Sequence, residues 1–263
     1  MKKLIGNAVV GQSGGPTAAI NATLAGVIRG VKEDVGAGAI KTLYGMRNGV
    51  EGLLQERLIN LNEYFDCEDK IVALEHTPAA ALGSCRKKLP KLGEDDALYE
   101  KLLAIFKKYD IRYFFYIGGN DSMDTVDKLS KYFASVGSSI RVMGVPKTID
   151  NDLPVTDHCP GFGSAAKYIA TSLKEIIRDN EAYEGKTKLI LVEIMGRHAG
   201  WLTGAAGLAK GEDCTGVDAI YLPERIFDID AFVEKIKDLA TKKSSIVIAV
   251  SEGVKMAESI SSI

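Results

Sequence analysis

Residues 111–122 read Ile-Arg-Tyr-Phe-Phe-Tyr-Ile-Gly-Gly-Asn-Asp-Ser, and residues 142–152 read Val-Met-Gly-Val-Pro-Lys-Thr-Ile-Asp-Asn-Asp. In each stretch a short apolar run stops abruptly at glycine or proline and polar side chains follow. The runs Tyr113 to Ile117 and Val142 to Val145 predict buried strands, which places both polar turns at strand carboxyl ends. Open α/β sheets collect their ligands at that edge. The first turn offers glycines with carboxamide and carboxylate oxygens suited to phosphate and magnesium. The second sets Lys147 three residues before Asp150. Together they read as a site for phosphoryl transfer, which needs positioning, cationic neutralisation and a base near the acceptor hydroxyl.

Outward from these turns, strand-like and helix-like segments alternate. A first strand closes at Val9-Val10, and after Pro16 a helix carries Ile20, Leu24, Val27 and Ile28 on one face. Residues 94–109 place Leu98, Leu102, Ile105 and Phe106 on a helical stripe; 111–117 is a strand, 122–135 a helix and 140–145 a strand. Residues 161–179 form a helix with Ala165, Ile169, Leu173 and Ile177 at spacing four. Strands at 187–194, 217–222 and 245–250 then alternate with a small-residue helix at 198–209 and a helix at 230–241. Such succession implies βα units, an α/β fold and mainly parallel sheets. A hinge near Pro160-Gly161-Phe162-Gly163 would divide the chain into lobes 1–160 and 161–263.

Composition narrows the function class. Thirty-three basic and 35 acidic residues give a net charge of −2, which argues against nucleic acid or an anionic membrane as the main partner. Scattered pairs such as Lys87-Lys88 and Lys107-Lys108 read as solvated surface. Cys67, Cys85, Cys159 and Cys214 form no CxxC, so neither a zinc site nor a disulfide framework is expected, and a reducing cytoplasm is the expected location. The start, Met-Lys-Lys-Leu-Ile, reads as a first strand rather than a signal peptide, because its apolar stretch breaks at Gly6-Asn7. No apolar run approaches the ~20 residues that span a bilayer.

Each motif has a structural reading beside the chemical one. Gly11-Gln12-Ser13-Gly14-Gly15-Pro16 lets backbone N–H groups approach a phosphate at a helix amino terminus, or is simply a tight βα turn. It is neither GxGxxG nor a P-loop. Gly118 to Ser122 repeats the arrangement, with Asp121 or Ser122 as alternative helix caps. Asp150-Asn151-Asp152 suits alcohol deprotonation or an Asx-turn. Arg197 can fork onto a phosphate or hold a salt bridge between lobes. Glu252 can accept sugar hydroxyls or cap a following helix. His76, His158 and His198 share no metal-ligand spacing.

In this order, Gly14-Gly15, Leu82-Gly83-Ser84-Cys85-Arg86, Gly118 to Ser122, Pro146 to Asp152, Met195-Gly196-Arg197 and Ser251-Glu252-Gly253 resemble the phosphofructokinase family over essentially the whole chain. The resemblance implies two Rossmann-like lobes, the first for the phosphoryl donor and the second for fructose 6-phosphate. It also implies magnesium and transfer to the sugar 1-hydroxyl from ATP or pyrophosphate. By the same resemblance Asp150 is the base, with Thr148 and Ile149 beside it in the sugar site. Met195, Gly196 and Arg197 contact the sugar phosphate and Glu252 the sugar hydroxyls. Gly14, Gly15, Arg86, Gly119 and Ser122 serve the donor phosphates. Lys188 occupies a position where a basic residue reaches into a neighbouring subunit, so a homodimer or homotetramer is expected.

Two positions speak to the donor. ATP-using members resemble Gly-Gly-Asp-Gly-Ser and Pro-Gly-Thr-Ile-Asp, whereas Asp121 and Lys147 stand here in place of glycine. An aspartate where a nucleotide α-phosphate would lie repels it, and a lysine adds charge for the transferring group. Both point to pyrophosphate and a reversible reaction. Asn120 replaces the family's usual magnesium aspartate, so Asp121 or the pyrophosphate itself would supply the missing charge. The family also continues beyond the Ser-Glu-Gly segment, so the second lobe and the C-terminal return are expected to be incomplete here. Three rival readings stand: an ATP-dependent member, a NAD or lipid kinase sharing Gly-Gly-Asp turns, and an inactive sugar-phosphate-binding fragment or subunit.

Overall fold

The computed structural model describes residues 4–35, 38–182 and 188–257. The chain divides into two compact units, 1–148 and 149–263. The expected boundary at residue 160 lies in the loop that opens the second unit.

The first unit runs β1 (Gly6–Gln12), α1 (Ala18–Val35), β2 (Ile40–Met46), α2 (Gly49–Leu54), β3 (Leu58–Asn60), α3 (Leu61–Tyr64) and α4 (Glu68–Glu75). It continues through α5 (Asp96–Lys108), β4 (Ile111–Gly118), α6 (Asn120–Ser135) and β5 (Arg141–Pro146). Its sheet has the order β3-β2-β1-β4-β5, parallel except for β3. β1 lies at the centre, and a parallel strand covered on both faces needs a continuous apolar sequence. Ala8-Val9-Val10 supplies it. Ala8 and Val10 pack with Ile20, Leu24 and Ile28 of α1, while Val9 packs on the opposite face with Phe106 of α5 and Leu129 and Phe133 of α6. The helical stripe predicted from Ile20 to Ile28 is therefore a core face.

The second unit runs α7 (Phe162–Glu181), β6 (Lys188–Ile194), α8 (Trp201–Gly204) with a 3-10 turn over Ala205–Ala209, β7 (Ala219–Tyr221), α9 (Ile229–Ala240) and β8 (Ser245–Ser251). Its three strands are parallel in the order β6-β8-β7. Leu173 and Ile177 of α7 pack with Leu202, Ala206, Val247 and Ala249 in one core, and Ala165 and Ile169 line its margin. Among the described residues no helix is long and apolar enough to cross a membrane.

Three expectations change. The single helix foreseen at 198–209 is a short α-helix that tightens into a 3-10 turn, in keeping with the low helix propensity of Gly204 and Gly207. The first strand begins at Gly6 rather than near the amino terminus; Met1 to Lys3 lie outside the described residues, as does Thr187 at the start of the strand expected over 187–194. Between residues 40 and 75 the sequence announced no element, yet five are present, all of them only three to eight residues long.

Candidate active site

Parallel strands present their carboxyl ends as a row of turns along one sheet edge, and in the first unit three of them knit together. After β1 the chain turns through Gly14, whose φ of +76° is the left-handed region that glycine enters without strain. The Gly14 N–H donates to the Cys85 carbonyl (3.1 Å), and Ser84 Oγ donates to the Gly14 carbonyl (2.5 Å). Lys147 follows β5 and is 3% exposed. Its Nζ donates to the Gly15 carbonyl at 2.7 Å. A Cβ on Gly14 would sit 3.7 Å from Lys147 Nζ, and one on Gly15 would sit 3.9 Å from an Arg86 guanidinium nitrogen. Two cations from distant parts of the sequence thus converge on the glycine pair.

The turn after β4 is tied to both neighbours. Lys147 N–H donates to the Gly118 carbonyl (2.9 Å) and Ser13 N–H to that of Ile117 (2.9 Å). Ser122 and Ser13 are buried with their hydroxyls hydrogen-bonded to each other. A side chain at Gly118 would collide with Ser122 Oγ, which is the local reason for that glycine. Gly119 is the residue capping α6, so neither Asp121 nor Ser122 fills the capping role held open for them; Ser122 and Met123 N–H groups donate to the Gly119 carbonyl instead (both 3.0 Å). Asn120 and Asp121 stand side by side in the first turn of α6, and the exposed Asp121 carboxylate pairs with Lys88 at 2.8 Å. That hydrogen bond raises the Lys88 pKa. Thr148, buried, lies next to Gly119.

Sequence reasoning missed what holds this edge in place. Gln12 and Asn21 are fully buried carboxamides. Gln12 Nε2 donates to Asn21 Oδ1 (2.9 Å) and to the Ile20 carbonyl (3.1 Å), while Gln12 Oε1 accepts from Leu82 N–H (2.9 Å). Asn21 Oδ1 accepts from Ala81 N–H (2.9 Å), and its Nδ2 donates to the Thr77 carbonyl (2.8 Å). The pair fastens the irregular segment that carries Arg86 onto the β1–α1 turn. Its signal was available: Asn21 falls on the buried face of α1 with Ala25 and Ile28, where a polar residue demands a partner. Tyr116, whose burial pushes its phenol pKa far up, lies under the same edge with its hydroxyl 3.6 Å from Cys85 Sγ.

In the second unit, Asn151 of the Asp-Asn-Asp triplet adopts φ +56° and is buried. Its Nδ2 donates to the Asp157 carbonyl (3.1 Å), and its Oδ1 accepts from Cys159 N–H (2.7 Å). Asn151 therefore shapes the loop, and Asp150 and Asp152 flank it half-buried. Beyond them a cavity of about 550 Å³ is lined by Asp152, Asp157, His158, Phe162 and Trp201 among others. The ends of the paired strands β6 and β8 interlock. Glu252 Oε1 accepts from Gly196 N–H (3.2 Å), Ser251 Oγ donates to the Gly196 carbonyl (2.8 Å), and Glu252 N–H donates to that of Ile194 (2.9 Å). A side chain on Gly253 would collide with the Arg197 backbone. Glu252 thus braces the neighbouring turn, and Met195 and Arg197 are exposed beside it. Ile149 packs at the margin of this unit's core. Lys188 opens β6, the strand that Met195 follows, and so stands at the opposite end of the sheet, about 20 Å away at 3.3 Å per residue.

The phosphofructokinase family model matches residues 7–263. The chain is 47% identical over 254 residues to a pyrophosphate–fructose 6-phosphate 1-phosphotransferase of Xanthomonas campestris, covering 96% of this chain and 59% of that protein. It is 43% identical over 253 residues to the enzyme of the same name from Methylococcus capsulatus, again 96% of this chain and 59% of the relative. Among solved structures, a pyrophosphate-dependent phosphofructokinase from Nitrosospira multiformis superposes with a TM-score of 0.86 at 43% identity, covering 96% of this chain and 62% of that one. The chain thus spans about three fifths of the length of these relatives. With the family model matched along nearly its whole length and the motif turns gathered at two sheet edges, this chain belongs to the phosphofructokinase family.

Proposed function

We propose that this chain carries the donor and sugar-phosphate machinery of a pyrophosphate-dependent 6-phosphofructokinase, moving a phosphoryl group from pyrophosphate to the 1-hydroxyl of fructose 6-phosphate and giving fructose 1,6-bisphosphate. The observation that carries the reading is Lys147, buried with its ammonium turned onto the Gly14–Gly15 loop. ATP-using members of the family resemble Pro-Gly-Thr-Ile-Asp here, with glycine at this position, whereas a lysine adds a cation that neutralises charge on the transferring group and the leaving phosphate. The names of the relatives above support the same donor.

The first unit binds the donor. Gly14, Gly15, Gly119 and Ser122 shape its turns, and Arg86 and Lys147 neutralise the phosphates. Asp121 adds bulk, with a charge that its partner Lys88 balances, where the α-phosphate of a nucleotide would go. In the second unit Asp150 takes the proton of the 1-hydroxyl, with Thr148 and Ile149 leading into its loop. Met195, Gly196 and Arg197 receive the sugar phosphate, and Glu252, already oriented by Gly196, accepts sugar hydroxyls. The donor set fits magnesium: Mg²⁺ prefers oxygen ligands, keeps several waters and relies on substrate phosphates, so the carboxamide oxygen of Asn120 would hold it with the pyrophosphate supplying the charge. Bound there, the ion would neutralise charge on the pyrophosphate. Lys188 belongs to the sugar site of a neighbouring subunit in a homodimer or homotetramer.

The test is magnesium-dependent formation of fructose 1,6-bisphosphate with pyrophosphate and ATP in parallel. Turnover with pyrophosphate alone is expected, and Asp150→Ala should lower it about 10²–10⁴-fold while fructose 6-phosphate still binds. Turnover with ATP alone would overturn the donor, and full activity in Asp150→Ala would overturn the base. Binding of both substrates without turnover would favour a sugar-phosphate-binding subunit.

A further inference from the structure

We infer that Lys88 is a specificity-determining residue of the donor site: by pairing with Asp121 it cancels the charge that Asp121 brings to the first turn of α6, so that the turn rejects a nucleotide yet still admits pyrophosphate. The inference rests on the donor reading above. Three acids fall in the first two turns of α6, and each has a lysine. Asp124 pairs with Lys128 (2.6 Å) and Asp127 with Lys131 (2.7 Å), both one helical turn on. Asp121 has Thr125 at that position, and its cation comes from outside the helix, from Lys88 at 2.8 Å.

Lys88 is held there by its neighbours rather than by chance. The segment that carries it has no secondary structure but is pinned on both sides of residues 86–88. Upstream, the Cys85 carbonyl accepts from Gly14 N–H at 3.1 Å. Downstream, Leu89 is 2% exposed within the core that includes Tyr99 and Leu102. The Leu89 carbonyl accepts from Lys128 Nζ (2.9 Å), and the Pro90 carbonyl from the Tyr99 hydroxyl (2.6 Å). Arg86, Lys87 and Lys88 therefore bridge two fixed points, with Arg86 delivered to Gly15 at one end and Lys88 to α6 at the other.

The charge balance explains why Asp121 is compatible with a polyanionic donor. A bare carboxylate within a few ångströms of pyrophosphate opposes its binding, whereas a carboxylate paired with an ammonium presents bulk without net charge. Nucleotide exclusion then stays with the volume of the Asp121–Lys88 pair, and tolerance of pyrophosphate stays with its neutrality.

Calorimetric titration of pyrophosphate into the full chain and into Lys88→Met, Asp121→Asn and the double variant tests this. In Lys88→Met the pyrophosphate Kd should rise roughly tenfold and grow more sensitive to salt. Lys88→Arg, which keeps the charge, should restore it. In the Asp121→Asn background the Lys88→Met effect should shrink to about twofold or less, since no carboxylate is left to balance. Both groups are exposed, so the thermal midpoint should not move. An unchanged Kd in Lys88→Met overturns the inference, as does the same loss with and without Asp121, which would make Lys88 a direct phosphate contact. Failure of the unsubstituted chain to bind pyrophosphate would overturn the donor reading itself and this inference with it.

Discussion

In the first unit Ala8, Val9 and Val10 of β1 are all at 0% exposure, with helices packed on both faces of the sheet. In the second, β6 alternates: Ile190 and Val192 pack into the core, while Leu189 and Leu191 on the other face are 41% and 54% exposed. α9 contributes no buried residue, although Tyr221, Phe227 and Phe232 form an aromatic cluster at its base. The two sheets consequently hold their motif turns by different means. Where the sheet is covered on both sides, a core under the strands and the buried Gln12–Asn21 pair fix the edge. Where the described residues cover it mainly on one side, the turns fix each other through Glu252, Ser251 and a glycine too close to Arg197 for any side chain.

The sharpest way to break this contrast is core truncation. Phe114→Ala should cost about 3–5 kcal/mol, because the ring is fully buried between Phe106 and Tyr116, whereas Leu191→Ala should change stability by less than about 0.5 kcal/mol. Denaturant titration of both variants checks the pair of values. Gly253→Ala comes next: the added methyl group must displace the Arg197 backbone, so a loss of about 1–3 kcal/mol is expected together with weakened fructose 6-phosphate binding. Pyrophosphate affinity, which the proposed function assigns to the other unit, should survive it.

Gln12→Ala sharpens the comparison from the other side. It strands the buried Leu82 N–H and one face of Asn21, at about 1–3 kcal/mol, and loosens the segment that carries Arg86. The pyrophosphate Kd should rise while fructose 6-phosphate affinity holds. The smallest effect is electrostatic. Arg29 hydrogen-bonds Glu75 and holds its carboxyl below the ordinary carboxylate range, and Lys174 does the same for Asp213 in the second unit. A depressed carboxyl stabilises the fold above its unfolded pKa and loses that effect as pH falls through the folded value. Thermal midpoints of Glu75→Gln and Asp213→Asn should therefore lie slightly below the unsubstituted protein near neutrality and converge with it as pH falls below about 4.

Much of the architecture was legible. The stripes Ile20–Ile28, Leu98–Phe106 and Ala165–Ile177 became core faces, and the runs before Gly118 and Pro146 became neighbouring parallel strands. Periodic burial writes itself into periodic sequence. The elements between residues 40 and 75 escaped notice because strands and helices of three to eight residues complete too few periods to announce themselves. The motif turns were legible as strand ends, since glycine, proline and carboxamides interrupt an apolar run for local reasons.

What residue order determined by itself, then, was the alternation of βα units, the glycine turns at the strand ends, and the choice of Asp121 and Lys147 over glycine. What only the tertiary structure decided was which of these meet. Lys147 reaches Gly15 across 132 positions of sequence, Arg86 comes to the same turn through a segment tied down by Gln12 and Asn21, and Lys88 finds Asp121 rather than a partner on its own segment. Local sequence encodes backbone preference and burial. The pairing of one charge with another depends on where a folded core brings distant segments to rest.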